Sequence, residues 1–321
     1  MGKLLLEHDS GDVIEKVLLV RDKQLKTART GKLYLDLELT DRSGALPAKV
    51  WDATRELFDS FGVDDFVEVK GRVETYRNQL QLNVVSLVPR EPSEVDLTEL
   101  LPHTTRDVDE MLAELEQYAQ LVEQPKLREL LEAMLGDERI CRGLRLAPAA
   151  VQYHHPFIGG LLEHTVGVCR LTCSVIEEHP ELDADLLLTG AILHDIGKID
   201  ELVYDRTFRY GDQGNLLGHL IIGMLMIEEK VRTIEDFPSP LLDMLRHLIL
   251  SHHGEYEWGS PKLPMTAEAI ALHHIDNLDA KVNAFQRLVQ QDRDPDSQWT
   301  EWSRMFGRRL YKWRGGDAGS E

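Results

Sequence analysis

The segment Ala191-Ile192-Leu193-His194-Asp195-Ile196-Gly197-Lys198 decides how the larger part of this 321-residue chain folds. An apolar run stops at an adjacent imidazole and carboxylate, and a lysine follows one turn later. Leu187, Gly190 and Ala191 precede His194 by seven, four and three residues, so one helical face carries the histidine inward at the helix's end. A buried carboxylate is costly unless it is paired, hydrogen-bonded or bound to a metal, and a His-Asp doublet closing an apolar helix therefore asks for a cation. Taken alone, the doublet also reads as a helix C-terminus with a solvated Asp195 and a satisfied core His194. The other histidines decide between the two.

Gly159-Gly160-Leu161-Leu162-Glu163-His164-Thr165 opens a helix on which Leu161, Val168 and Leu171 share a face with His164. Leu216, Ile222 and Met226 share a face with His219 at the start of the next long helix, and His252 and His253 end the helix containing Leu245, Leu248 and Ile249. Asp276 lies on a helix over residues 267–289, with Leu272 four residues before it and Ala280 four after. Any one of these histidines reads as core. Together they occupy inward positions or the ends of consecutive helices, and helical bundles build metal sites in this way.

The length allows two domains or one large one, and 42% hydrophobic with 29% charged residues is the balance of a soluble globular protein. The longest apolar stretches fall short of a bilayer span, and the N-terminal apolar run is too short for a signal peptide, so the expectation is a cytoplasmic protein with no membrane partner. Cys141, Cys169 and Cys173 lack the spacing of a disulfide scaffold or zinc ribbon, so a metal here is held by nitrogen and oxygen. The net charge of −20 argues against a general basic nucleic-acid binder. It is uneven, however: residues 1–92 carry 14 basic against 16 acidic side chains, the rest 22 against 40. The near-neutral front is the better holder of an anionic chain.

From Asp12 to Pro89 the pattern is strand-like. Leu33, Leu35, Leu37 and Leu39 alternate with Tyr34, Asp36, Glu38 and Thr40, and Asp41-Arg42-Ser43-Gly44 turns into a second strand ending at Trp51. A short helix over residues 53–61 and two further strands make five strands, a small closed barrel that resembles an OB-fold. OB-folds hold single strands by stacking and a basic groove. Candidates are Tyr34, Trp51 and Tyr76, with Lys23, Lys26, Arg29 and Lys32 in the first loop and Arg72 and Arg77 further on. The alternative is that Trp51 fills the barrel and the lysines are solvated. The expected organisation is a barrel over 1–92, a helical connector over 93–145, an all-α metal domain over 146–292 and a basic, aromatic tail over 293–321. In that tail Trp299, Trp302, Phe306 and Trp313 interleave with Arg304, Arg308, Arg309, Lys312 and Arg314, either stacking on a single strand or packing as a helix on the bundle.

The spacing of His164, His194-Asp195 and Asp276 is similar to that of HD-domain metal-dependent phosphohydrolases, over residues 159–288. His219 and His252-His253 resemble the branch with a two-metal site, which includes the HD-GYP phosphodiesterases, although the Gly-Tyr-Pro signature of the latter is absent. An OB-like front, Pro148-Ala149-Ala150, His154-His155, the Gly159 to Thr165 stretch, Asp276-Asn277-Leu278-Asp279-Ala280-Lys281 and Leu310-Tyr311-Lys312 together resemble the YhaM family of 3′→5′ exoribonucleases.

That resemblance implies a hydrolase acting on the phosphodiesters of single-stranded RNA, or DNA, and releasing nucleoside 5′-monophosphates through a metal-activated hydroxide. It implies that His164, His194, Asp195 and Asp276 hold one divalent ion, and that Asp195 bridges to a second held by His219, His252 and His253. With these donors manganese is first choice, with iron, cobalt or magnesium open. Lys198 would contact a nonbridging phosphate oxygen beside the catalytic Asp195, or simply face the helix dipole. By helical spacing Asp279 shares a face with Asp276 as an outer partner or a solvated charge, and one of His273 and His274 is an outer partner; His154 and His155 line the mouth or cap the following helix. A homo-oligomer is compatible with this reading. The alternative activity is an HD-type nucleotide or cyclic-dinucleotide phosphohydrolase with a regulatory barrel.

Overall fold

The computed structural model describes residues 3–77, 79–152, 154–292, 294 and 297–313. They form two compact units, one from the residues up to His103 with Val203–Arg209, the other from Thr104–Leu202 and the residues from Tyr210 onward.

In the first unit, strands β1 (Val13–Thr27), β2 (Leu33–Asp41), β3 (Gly44–Trp51), β4 (Phe66–Tyr76) and β5 (Gln79–Arg90) close a barrel in the order β1-β2-β3-β5-β4, with helix α1 (Arg55–Asp59) between β3 and β4. The long β1 makes closure possible. Its first half pairs with β4 from Val13 to Leu19, its second with β2 from Leu19 to Thr27, and a bulge between Val20 and Asp22 bends it from one partner to the other. β3 and β5 complete the circle as a parallel pair. The alternation of β2 sends Leu35, Leu37 and Leu39 inside, each contributing about 2 kcal/mol by burial, and leaves Tyr34, Asp36 and Glu38 on the outer face. Trp51 is 52% exposed and does not fill the barrel.

After a short α2 (Leu97–Leu100), the second unit is helical. α3 (Val108–Leu121), α4 (Pro125–Leu135) and α5 (Glu138–Leu146) lead to α6 (Gly160–Glu178), α7 (Ala184–Leu193), α8 (Lys198–Glu201), α9 (Asp212–Val231), α10 (Ser239–Ser251) and α11 (Ala267–Gln291); between α8 and α9 runs a minimal hairpin of β6 (Leu202–Val203) and β7 (Arg209–Tyr210), of which Val203–Arg209 count with the first unit. α7 is the central rod: every residue from Leu186 to Leu193 is buried, between α6, α10 and α11. Asp183 caps it by accepting from the Leu186 amide at 2.9 Å. No helix among the described residues is long and apolar enough to cross a membrane.

Two expectations are corrected. Leu216 does not share a face with His219. Gly218 takes φ +72° and ψ 158° and breaks α9, so Leu216 lies 82% exposed on the first segment while His219 begins the second. The periodicity does not run through a glycine in that conformation. The tail over residues 299–313 is not a helix. Trp299 pairs with Tyr311 and Ser303 with Arg308 in an antiparallel excursion that turns near Gly307 at φ +60°. Asp292 accepts from the buried Lys312 ammonium at 2.8 Å, and the Thr300 hydroxyl accepts from the Leu310 amide at 3.0 Å. These partners are too far apart in sequence to meet along one helix. Phe306 packs on Phe285 of α11 with ring centres 6.1 Å apart, while Trp299, Trp302 and Trp313 face solvent. Arg314 and residues 315–321 lie outside the described residues.

Candidate metal centre

Three helix ends and two helix interiors deliver the site. His194 is the C-cap of α7 and His252 the C-cap of α10. Each turns its Nδ1–H back onto the carbonyl three residues earlier, His194 onto Ala191 at 2.9 Å and His252 onto Ile249 at 2.8 Å. His164 projects from the first turns of α6, His219 from just past the break in α9, and Asp276 from the middle of α11. Gly197 admits α9 closely enough for His219 to reach Asp195: a Cβ there would lie 2.1 Å from the His219 carbonyl oxygen.

All seven residues expected to hold metal meet around Asp195. Its Oδ2 lies 3.5 Å from His164 Nε2 and 3.4 Å from His194 Nε2; its Oδ1 lies 3.5 Å from His219 Nε2 and 3.6 Å from His252 Nε2. Asp276 Oδ1 sits 3.1 Å from His164 Nε2, and His253 Nε2 sits 3.1 Å from His219 Nε2. The donors therefore fall into two groups, His164, His194 and Asp276 on one side and His219, His252 and His253 on the other. Asp195 presents one oxygen to each.

The outer partners show what the cluster is built to hold. His164 Nδ1 donates to Asp279 Oδ2 at 2.7 Å, His219 Nδ1 to Glu201 Oε1 at 2.9 Å and His253 Nδ1 to the Trp258 carbonyl at 2.8 Å. With His194 and His252, all five imidazoles give their Nδ1–H to an oxygen that can only accept, which fixes the tautomer and aims the Nε2 lone pair at the centre. Lone pairs then confront one another: His164 and His194 Nε2 are 3.2 Å apart, and Asp195 Oδ1 and His252 Nε2 face each other buried and without a hydrogen-bond partner. Such contacts repel unless cations lie between them. The residues present fit divalent ions.

The electrostatics agree. Burial pushes the Asp195 carboxyl up, but the Lys198 ammonium, 2.6 Å from Oδ2, and His194 overcome it and hold the group well below the usual carboxylate range. Asp276 is also held low, burial being outweighed by the His164 hydrogen bond. Burial opposes charge on His164 too, yet Asp276 and Asp279 raise it to about 10, which shows how strongly the surrounding acids favour positive charge at this place. Burial lowers His252, and takes His253 and His154 to about 3, leaving them neutral, the form that ligates a metal.

Residues 161–281 match the HD domain family, and residues 17–89 match the family described as an OB-fold nucleic acid binding domain. The 3′-5′ exoribonuclease YhaM of Bacillus licheniformis is 36% identical over 319 residues, spanning 97% of this chain and 98% of that protein. The 3′-5′ exoribonuclease YhaM of Bacillus subtilis is 35% identical over 316 residues with the same coverage. The chain belongs to the YhaM family. Among solved structures, the second OB-fold domain of replication protein A from Methanococcus maripaludis aligns with 28% of this chain and 96% of that chain, at 22% identity and a TM-score of 0.23. The HD match implies dependence on divalent metal, in keeping with the donor groups around Asp195.

In this YhaM-family chain the residues singled out for nucleic acid on the barrel divide in two. Tyr34 and Trp51 are cross-strand neighbours with ring centres 5.0 Å apart on the outer face of β2 and β3, and the Arg77 guanidinium lies over the exposed Tyr76 ring at 5.3 Å. Arg29, Lys32 and Arg72 are exposed, Lys32 beside Asp52 at 2.9 Å. Lys23 and Lys26 do not lie in the first loop but on β1. Lys23 Nζ donates to the Phe58 and Phe61 carbonyls and sits 4.1 Å from the Phe58 ring centre, pinning the region of α1, and Lys26 pairs with Asp36 at 2.5 Å. The strand simply extends further than its alternation showed.

Asp279 proves to be the outer partner of His164, and His155 stands behind it, Nε2 3.3 Å from Asp279 Oδ2. His154 lines the pocket over the centre with Lys198 and Asp276. His273 donates Nδ1–H to the His252 carbonyl at 2.8 Å, and His274 is exposed. Glu201 was missed. Its Oε1 accepts from both the backbone amide and the Nδ1 of His219, each at 2.9 Å. The available signal was Gly218, a glycine immediately before a candidate ligand.

Proposed function

We propose that this chain is a divalent-metal-dependent 3′→5′ exoribonuclease that shortens single-stranded RNA to nucleoside 5′-monophosphates. The observation that carries the reading is Asp195, whose two oxygens face two separate groups of oriented imidazoles 3.4–3.6 Å away. Two ions, manganese in first place, match this division of donors: His164, His194, Asp195 and Asp276 for one, Asp195, His219, His252 and His253 for the other. Bound there, such a pair would supply a water of lowered pKa, from 15.7 to about 7, and positive charge for an in-line displacement at phosphorus.

The chain's own residues supply the rest. Asp195, kept ionised by Lys198 and His194, holds the two groups of donors in register. Lys198 lines the pocket over the centre and brings a fixed positive charge within reach of a phosphate oxygen. Asp279 and Glu201 orient His164 and His219. On the barrel, Tyr34, Trp51 and Tyr76 offer faces for bases, and Arg29, Lys32, Arg72 and Arg77 offer charge for phosphates. Support for the polarity and for RNA comes from the named activity of the Bacillus relatives.

The test is to incubate the purified protein with Mn²⁺ and 5′-labelled single-stranded RNA, a mixture of deoxynucleoside triphosphates, or a cyclic dinucleotide. A descending ladder from the 3′ end with nucleoside 5′-monophosphates as product is expected. Turnover of the small molecules alone would reject the assignment and favour a nucleotide phosphohydrolase.

A further inference from the structure

The pocket over the metal centre encloses about 190 Å³. Sites that enclose a whole drug-sized ligand run from about 300 Å³ upward. At that size it has room for a phosphate and adjoining sugar atoms, and its open side is where a base would lie. What the pocket offers a base is Trp258.

Trp258 ends the turn Tyr256–Trp258 between α10 and α11, closed by Gly259 at φ +84°. Trp258 lines the pocket together with Asp195, Lys198 and Asp276, its ring centre 6.0 Å from that of His273, and it remains 50% exposed. Its placement is tied to the centre from two sides. Its carbonyl accepts the Nδ1–H of His253 at 2.8 Å, and the Lys281 ammonium lies 5.3 Å from its ring centre. Lys281 follows Asp276 on α11 by five residues, so one helix carries both a metal donor and the cation over the indole. The other four tryptophans, Trp51, Trp299, Trp302 and Trp313, are exposed too, at 47–76%, but none of them lines this pocket.

We propose that Trp258, with Lys281 beside it, is the stacking platform for the 3′-terminal base of the strand whose last phosphodiester occupies the metal centre. The proposal rests on the exonuclease reading above and names a substrate contact within it. An enzyme that removes nucleotides one at a time must grip each base in turn whatever its identity. Stacking on an aromatic face does this, because every base has a π-face, and contributes about 1–3 kcal/mol per base. The lysine strengthens the platform by placing positive charge where the terminal phosphates approach.

The experiment compares full-length wild type, Trp258→Ala and Trp258→Phe in Mn²⁺ on two single-stranded RNAs that differ only at the 3′ end, one natural and one with an abasic terminal residue. The first cleavage is followed in single turnover, and affinity is measured by fluorescence anisotropy on the same RNAs with a non-hydrolysable last linkage. On natural RNA, Trp258→Ala is expected to lose about 5- to 100-fold in kcat/KM, mainly through KM, with matching loss of affinity, and Trp258→Phe to fall between. Wild type is expected to show the same loss on the abasic end, where Trp258→Ala loses nothing more. Equal loss by Trp258→Ala on both RNAs, or none on either, overturns the platform while leaving the exonuclease reading intact. A wild type that releases no nucleotide from RNA overturns both. A melting temperature matching wild type in each variant separates loss of stacking from loss of fold.

Discussion

Asp41 in the barrel and Asp195 among the helices are both buried acids beside a lysine, Lys16 Nζ lying 2.7 Å from Asp41 Oδ2 and Lys198 Nζ 2.6 Å from Asp195 Oδ2. Beyond that pairing they differ. Asp41 also accepts from the Leu5 amide at 2.7 Å, the Ser43 amide at 2.9 Å and the Ser43 hydroxyl at 2.5 Å, so both its oxygens are satisfied by donors of the barrel itself. Asp195 leaves Oδ1 without a hydrogen bond, opposite imidazole lone pairs. An acid whose acceptors are filled by its own fold holds structure together. One whose acceptors are kept open, at a cost in burial, is reserved for something that arrives from outside.

Replacing each acid by its amide should therefore differ in its effect on activity and on the response to metal, and Asp195 gives the larger. Asp195→Asn is expected to lower the rate of nucleotide release by about a thousand-fold or more, a barrier increase on the order of 4 kcal/mol. Its metal-free form should also lose stability, because Lys198 stays buried without the carboxylate it faces at 2.6 Å. The rise in melting temperature on adding Mn²⁺ should disappear with it. Thermal scans with and without metal check this, and a variant that keeps both full activity and the metal-induced rise would break the comparison.

Asp41→Asn should cost stability alone. Every neighbour of Asp41 is a donor, so an NH₂ placed there meets the Leu5 or Ser43 amide, and a loss of about 2 to 3 kcal/mol in urea-unfolding stability is expected. Single-turnover cleavage of a small phosphodiester by the folded protein should be unchanged. Loss of that activity without loss of stability would show that Asp41 is not the structural member of the pair.

A smaller effect sharpens the same contrast from outside the donor cluster. Asp279→Leu and Glu201→Leu remove the acceptors that orient His164 and His219 while leaving every donor to the centre in place. Each is expected to weaken Mn²⁺ binding by about 10- to 100-fold in calorimetric titration. Affinity within error of wild type would mean that packing alone orients the imidazoles.

The two regions were also unequally legible. The doublet at 194–195 was readable because an apolar helix ending in His-Asp conflicts with burial, and each further histidine on an apolar face repeated the conflict at a recognisable period. The barrel was readable for a different reason, the strict alternation of Leu33 to Thr40. What local pattern could not show is where hydrogen bonds go over long separations. Glu201 reaches His219 across 18 residues and Asp41 reaches Leu5 across 36. Lys23 looked like loop charge until β1 proved to extend past it. In the tail, the spacing of Trp299, Trp302 and Phe306 mimicked a helical face, while the interaction that determines its path, Lys312 with Asp292, joins residues 20 apart.

The least of the expected effects is the pH response of Asp41, confined to acid. Burial pushes its carboxyl up, but the hydrogen bonds from Lys16, Ser43 and Leu5 outweigh that and hold it below the ordinary aspartate value. A group lowered by folding stabilises the fold fully while the pH stays above the unfolded value of about 4, and the contribution fades as the pH falls through the lower folded value. The gap in melting temperature between wild type and Asp41→Asn should thus be constant from neutral pH down to about 5 and narrow below about 4. The difference isolates Asp41 from Asp36 and the other acids that titrate in both proteins. A gap that stays constant to pH 3, about one unit below that unfolded value, would mean that the shape of the carboxylate, rather than its charge, is what the barrel uses, and would bring Asp41 closer in kind to an amide cap than to a charged counterpart of Asp195.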